Sequence, residues 1–141
     1  MGKELLEKAK MLLNKTGCTC VLCNGDVIIT DKRRGVRPLL DLLDSEANFD
    51  GFSAADKVVG KAAAHLYCLL KIKNLYANVI SVPALAVLEN AGIYVEYGTL
   101  VPAIKNRTGD GSCPMESAVW DISSSAEALC AIIKTLSRLT K

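Results

Sequence analysis

The sequence predicts a three-layer α/β/α sandwich on a mixed sheet, and three observations carry that prediction. The run CTCVLCNGDVIIT, residues 18–30, holds two apolar stretches joined by Asn24-Gly25, a strong short-range hairpin signal. The run VISVPALAVLENAGIYVEYG, residues 79–98, reads as a buried strand, a proline-opened helix, a glycine stop and a second strand. Half of the 141 residues are hydrophobic but only 5% are aromatic. Such small aliphatic side chains suit strands covered by helices on both faces. A hairpin feeding right-handed strand–helix–strand crossovers closes as a sandwich of this kind.

The elements follow in order. Leu5, Leu6, Ala9, Leu12 and Leu13 recur at helical period and predict an N-terminal helix within residues 1–17, stopped by Gly17. After the hairpin closed by Asn24-Gly25, DKRRGVR is a polar loop. Pro38 then stands as the first residue of a short helix carrying Leu39, Leu40, Leu42 and Leu43. Beyond the loop DSEANFDG, Ser53-Ala-Ala-Asp56 resembles a capping box with Asp in place of Glu. It predicts a helix that buries Val58, Val59, Ala62, Ala63, Leu66, Leu69 and Leu70. Leu75–Ser81 is a strand, Pro83–Asn90 a helix closed by Gly92, and Ile93–Tyr97 a strand. LVPAIKN is a candidate further strand that Pro102 would confine to an edge. Residues 124–139 form a C-terminal helix capped by Ser124, with Glu127 three residues on. No repeat or linker divides the chain, so residues 1–141 are read as one domain.

Bulk composition excludes several classes of function. Seventeen basic against fifteen acidic residues leave a net charge of +2, too small to argue for nucleic acid or an acidic membrane. The N-terminal MGKELLEKAKMLLNK is charged throughout, unlike a signal peptide. No apolar run approaches the roughly 20 residues that span a bilayer. A cytoplasmic protein is expected, and with it reduced, core-filling cysteines rather than a disulfide framework for Cys18, Cys20, Cys23, Cys68, Cys113 and Cys130.

The order of elements, with PALAVLENAGIYVEYG, resembles the cytidine-deaminase-like fold. More closely, the pairing of DKVVGKAAA with NRTGDGSCPME resembles a family of uncharacterised prokaryotic proteins assigned to that fold, over roughly Cys18 to Leu139. Zinc deaminases take a His or Cys from one helix start and two cysteines from the next, with a Glu shuttling protons. Aligned on that frame, this chain offers Lys61-Ala62-Ala63, then Ala84 and Val87. A protonated lysine repels Zn²⁺ and alanine cannot bind it. The resemblance therefore implies a deaminase-like domain with neither zinc nor another cofactor.

The remaining motifs are weighed against bland readings. On a strand, Cys18 and Cys20 face one side and Cys23 the other, so three thiols do not converge on a metal. His65, the one histidine, is a helix-flank residue without an evident catalytic partner. Lys57 and Lys61, four apart on one predicted helix face, repel each other by a few tenths of a kcal/mol. Gly60 between them costs that helix about 1 kcal/mol. The two penalties suggest an anion near the lysines and a close neighbour at Gly60, though a solvated lysine face with Gly60 permitting helix–sheet contact fits as well. In NRTGDGSCPMES, Asn106 and Arg107 can add donors, while Cys113, Pro114 and Glu116 read as the N-cap, first and third residues of a helix. The loop DKRRGVR is a solvated hairpin exit.

A small anionic metabolite or nucleotide bound by Lys57, Lys61, Asn106, Arg107, Cys113 and Glu116 is the leading functional expectation. Thiol-dependent acyl or sulfur transfer through Cys113 is the first alternative, and a self-associating interaction module, hence a homo-oligomer, the second.

Overall fold

A computed structural model describes residues 2–105, 109, 111 and 113–139. Its strands form one five-stranded sheet in the order β2-β1-β3-β4-β5. β1 (Cys20–Asn24) and β2 (Val27–Asp31) are the antiparallel hairpin, β1 also pairs antiparallel with β3 (Ser53–Val59), and β3, β4 (Asn74–Ser81) and β5 (Tyr94–Val101) run parallel. The mixed sheet and the parallel neighbours predicted from the sequence are both present.

Helices cover the two faces unequally. α1 (Gly2–Thr16) packs alone on one face, where Leu6, Ala9 and Leu13 meet Cys18, Val21, Cys23, Ala55 and Tyr76. α2 (Arg37–Asp44), α3 (Lys61–Leu70), α4 (Val82–Asn90), α5 (Pro114–Ala118) and α6 (Ser125–Leu139) lie on the other, over a core that includes Leu22, Leu39, Leu66, Tyr67, Leu75, Ile80, Leu88 and Ile132. Cys18 and Cys23 therefore share the α1 face and Cys20 points to the opposite one. The expected pairing of Cys18 with Cys20 fails because Cys18 precedes the strand and does not follow its alternation.

The largest correction concerns residues 53–59. They form β3 rather than the start of a helix, and α3 begins at Lys61. The Ser53–Asp56 spacing imitates a capping box, but pairing with β1 and β4 gives the strand's backbone two hydrogen-bonded neighbours, which overrides the local signal. Gly60 is then the extended N-cap of α3, not a helix-interior glycine, and Lys57 and Lys61 do not share a helix face.

Smaller corrections follow the same pattern. The hairpin loop is Gly25-Asp26, because Asn24 still pairs with Val27, and Gly25 at φ 58° takes the first loop position. α2 starts one residue earlier than expected, at Arg37, with Pro38 second. Leu100 and Val101 complete β5, so the separate LVPAIKN strand is absent among the described residues. α6 carries the predicted Ser124 cap, whose hydroxyl accepts from the Glu127 N–H at 3.4 Å.

The three parallel strands share one irregularity. Pairing runs Asp56↔Ala77↔Tyr97 and resumes at Val58↔Val79↔Thr99, skipping Lys57, Asn78 and Gly98. Across the skip the core-facing side changes parity, since Ala54 and Val59, like Ala77 and Ile80, enter the same core. Gly98 is needed there, because a Cβ would sit 2.9 Å from the Asn78 carbonyl oxygen.

Candidate functional site

The starts of α3 and α4 lie side by side at the carboxyl ends of β3 and β4, where open α/β sheets place their sites. Gly60 has no side chain to cap α3, and the cap comes from Glu116, 55 residues away in sequence from Lys61. Glu116 Oε2 accepts the Lys61 N–H at 2.7 Å and the Ser81 hydroxyl at 2.5 Å, and Oε1 accepts the Ile104 N–H at 2.6 Å. The Ser81 hydroxyl, as N-cap of α4, also accepts the Ala84 N–H at 3.3 Å. One buried carboxylate thus ties two helix starts to the segment after β5. A carboxylate suits the partial positive charge at a helix start.

Gly60 makes room for this arrangement. A Cβ there would lie 3.1 Å from Ile104 Cγ1 and 3.2 Å from Glu116 Oε2. The segment is closed at its base, where the Cys113 N–H donates to the Ile104 carbonyl at 2.9 Å. Glu116 is the third residue of α5 and Cys113 its N-cap, as predicted, but Glu116 reaches across to α3 and α4 instead of acting on Cys113.

Lys61 is half-buried, and its ammonium donates to the Trp120 carbonyl at 2.6 Å. Among the described residues no carboxylate lies within ion-pair distance of it. Lys57 sits on β3 and is exposed, so the structure brings Lys61, Cys113 and Glu116 together and leaves Lys57 on a separate element. Asn106 and Arg107 lie outside the described residues.

His65, one turn after Lys61, is fully buried rather than on a flank. Its Nε2 faces the Ile122 carbonyl at 3.2 Å, so Nε2 carries the proton and Nδ1 accepts the Ser125 hydroxyl at 2.9 Å. Burial holds its pKa down, and Lys61 adds to that effect. Both ring nitrogens are taken, so the half-buried Cys113 has no histidine base at hand.

A second polar cluster escaped the sequence reading. The Tyr67 hydroxyl donates to Asp56 Oδ2 at 2.7 Å, leaving the Cys20 thiol, 3.3 Å away, to donate to Tyr67. Part of Asp56 remains exposed, yet its carboxyl lies deep enough that desolvation pushes its pKa up to about 7, against the pull of Tyr67 and strand N–H groups. Burial also pushes the Cys20 thiol up, so it is no thiolate nucleophile. Cys20 lines a cavity of about 180 Å³ between the hairpin and α2, rimmed by Arg33 bound to Asp31 and Asp41. The cavity shares no lining residue with the Glu116 cluster.

The zinc frame of the resemblance can be tested on these positions. Lys61 opens α3, Ala84 is buried in the first turn of α4, and Val87 lies one turn further on. Between the helix starts stands the Glu116 carboxylate, surrounded by N–H and O–H donors, which repel a cation instead of binding it. Among the described residues no three His, Cys, Asp or Glu side chains are placed to hold a metal ion. The residues present do not fit zinc.

Fold and site together define an α/β domain whose two adjacent helix starts are joined by an internal carboxylate. Residues 8–136 match the domain of unknown function DUF1893, and the chain belongs to that family. It is similar to the crystal structure of a DUF1893 family protein from Thermotoga maritima, at 30% identity and a TM-score of 0.85, over 96% of this chain and 90% of that one. A weaker likeness, 12% identity and a TM-score of 0.45 over 68% of this chain and 95% of the other, links it to dCMP deaminase from the cyanophage S-TIM5 in apo form. No curated protein matches. No helix among the described residues is long and apolar enough to cross a membrane.

Proposed function

We propose that this DUF1893 domain is a deaminase-like scaffold that binds a small anionic molecule at the mouth beside α3 and does not carry out zinc-dependent deamination. The observation that carries the reading is the ammonium of the half-buried Lys61, at the helix start and held by a carbonyl, with no carboxylate of the described residues within ion-pair distance. Glu116 supports the same division of labour, because it occupies the inner position and leaves the amine as the group facing a ligand. Cys113, at the base of the same segment, and the neighbouring Asn106 and Arg107 complete the proposed set, Arg107 offering a planar fork suited to phosphate or carboxylate.

Thermal unfolding with and without inorganic phosphate and a nucleotide tests this on wild type, Lys57→Ala, Lys61→Ala and Arg107→Ala. At about 100-fold excess over Kd, a bound ligand stabilises wild type by roughly 2.7 kcal/mol. Lys61→Ala and Arg107→Ala should lose most of that gain, while Lys57→Ala, on its separate strand, should keep it. Equal gains in all four proteins, or none with any anion, would remove the reading. Elemental analysis and a cytidine deamination assay on the same preparation should show zinc far below one equivalent and no turnover.

A further inference from the structure

Given the anion site proposed above, on which this rests, we propose that its ligand is an aromatic anion whose flat ring stacks on Trp120. The phosphate or carboxylate would meet Lys61, and the indole would hold the ring. Trp120 follows α5 by two residues, and its carbonyl accepts the Lys61 ammonium at 2.6 Å. The indole is therefore rooted within one residue's reach of that charge. It is 46% exposed, although Val119 beside it is fully buried.

An indole half left in water forgoes much of the apolar burial that aromatic side chains contribute. Other rings of the chain are put to use. Phe49 and Phe52 pack edge to face with centroids 5.3 Å apart, and Tyr67 is buried against Asp56 and Cys20. Tyr76 lies under the Lys10 ammonium at 4.7 Å. Trp120 has neither a ring nor a cation over its face among the described residues. Tyr94 is as exposed, but it opens β5, at the end of the sheet away from Lys61.

A second apolar group stands at the same mouth. Val82 opens α4 directly after Ser81, whose hydroxyl shares Glu116 Oε2 with the Lys61 N–H. Its side chain is exposed as well. A bare inorganic anion would use the amine and leave both apolar groups in water. A ring that carries the anion uses all three, and the face of an indole suits a flat partner.

Trp120 is the single tryptophan of the chain, so its fluorescence reports on this position alone. Four probes divide the claim: inorganic phosphate, phenyl phosphate, adenosine and adenosine monophosphate. Phenyl phosphate, adenosine monophosphate or both should quench Trp120 and bind at least about tenfold more tightly than phosphate or adenosine. Phenyl phosphate alone would mark an aromatic acid as the ligand, and the nucleotide alone a nucleotide. Followed by thermal unfolding, Trp120→Ala should weaken the aromatic anions roughly 5- to 150-fold and leave inorganic phosphate unchanged, while Trp120→Phe should keep most of the affinity. Inorganic phosphate binding as tightly as both aromatic anions would overturn the stacking and leave the anion site standing. Adenosine binding as tightly as its monophosphate, or no binding by any probe, would remove both. The wild-type titrations decide the matter even if a variant folds poorly.

Discussion

Glu116 and Asp56 are two carboxyl groups drawn into one small domain, and their surroundings treat them in opposite ways. Glu116 meets three donors from three separate segments, two of them at helix starts. Asp56 meets one strong donor, the Tyr67 hydroxyl, and beyond it only N–H groups of its own strand, those of Val58 at 3.4 Å and of Lys57. The first carboxylate serves as a tie between elements. The second is a buried acid whose desolvation outweighs its donors, so it holds a proton towards neutrality. How closely donors meet a buried carboxyl, and from how many segments, decides which role it takes.

Removing the tie should have the largest effect. Glu116→Ala strands the Lys61 and Ile104 N–H groups and the Ser81 hydroxyl, at about 1–3 kcal/mol for each group left unsatisfied and not fully additive. A loss of about 3–5 kcal/mol is expected in urea unfolding. Glu116→Gln, which keeps one acceptor oxygen, should lose roughly half as much, and hydrogen exchange at Lys61 and Ile104 should quicken in both. If the two variants match wild type, the carboxylate is no tie.

Asp56 should reveal itself through pH. Its folded pKa of about 7 lies above the unfolded value near 3.9, so the folded state binds the proton more tightly. The associated stability is complete below about pH 4 and is lost as pH rises through 7, by at most roughly 4 kcal/mol. Asp56→Asn should flatten that window. The measurement is the wild-type-minus-variant difference in unfolding free energy from pH 4 to 8. A difference that does not change with pH would mean that Asp56 is no better buried than a surface acid.

Gly60→Ala probes the tie from the other side. The backbone there, φ −93°, accepts any residue, so the cost comes only from a Cβ pressed against Ile104 and Glu116. About 1–2 kcal/mol is expected, as for other overpacked sites. In Glu116→Ala the same change should cost less, and a double-mutant cycle measures that coupling. Smallest of all, Tyr67→Phe should cost about 1 kcal/mol and move the Asp56 titration further up, because the donor that favours the ionised form is gone.

How legible all this was depended on sequence distance. The hairpin, α4 and β5 were readable because their signals lie within a few residues: a turn glycine, a proline-opened helix, a stop at Gly92. β3 was misread for the same reason. Ser53 and Asp56 form a persuasive local pattern, whereas what makes them a strand lies in Cys20–Cys23 and Asn74–Ile80. Glu116 was marked as a site residue on its place in α5, but its partners stand 12, 35 and 55 residues away, and no spacing rule reaches them. The Cys20–Tyr67–Asp56 cluster was missed because Asp56 had been placed on a helix. On a strand beside Cys20 it would have raised the question of which donor meets it.

The long reach of Glu116 also bears on how the chain acquires its shape. Synthesis proceeds from the N-terminus, so β1 to β5 and α3 have all been synthesised before residue 116 is added. Until then the first turn of α3 has no cap, and the Ser81 hydroxyl has no carboxylate to accept its hydrogen bond. The sheet can assemble early from nearer pairings, but the helix starts can lock only as the last fifth of the chain arrives. Contacts so distant in sequence form slowly. The helix starts of α3 and α4 are thus the last part of the domain to be tied together.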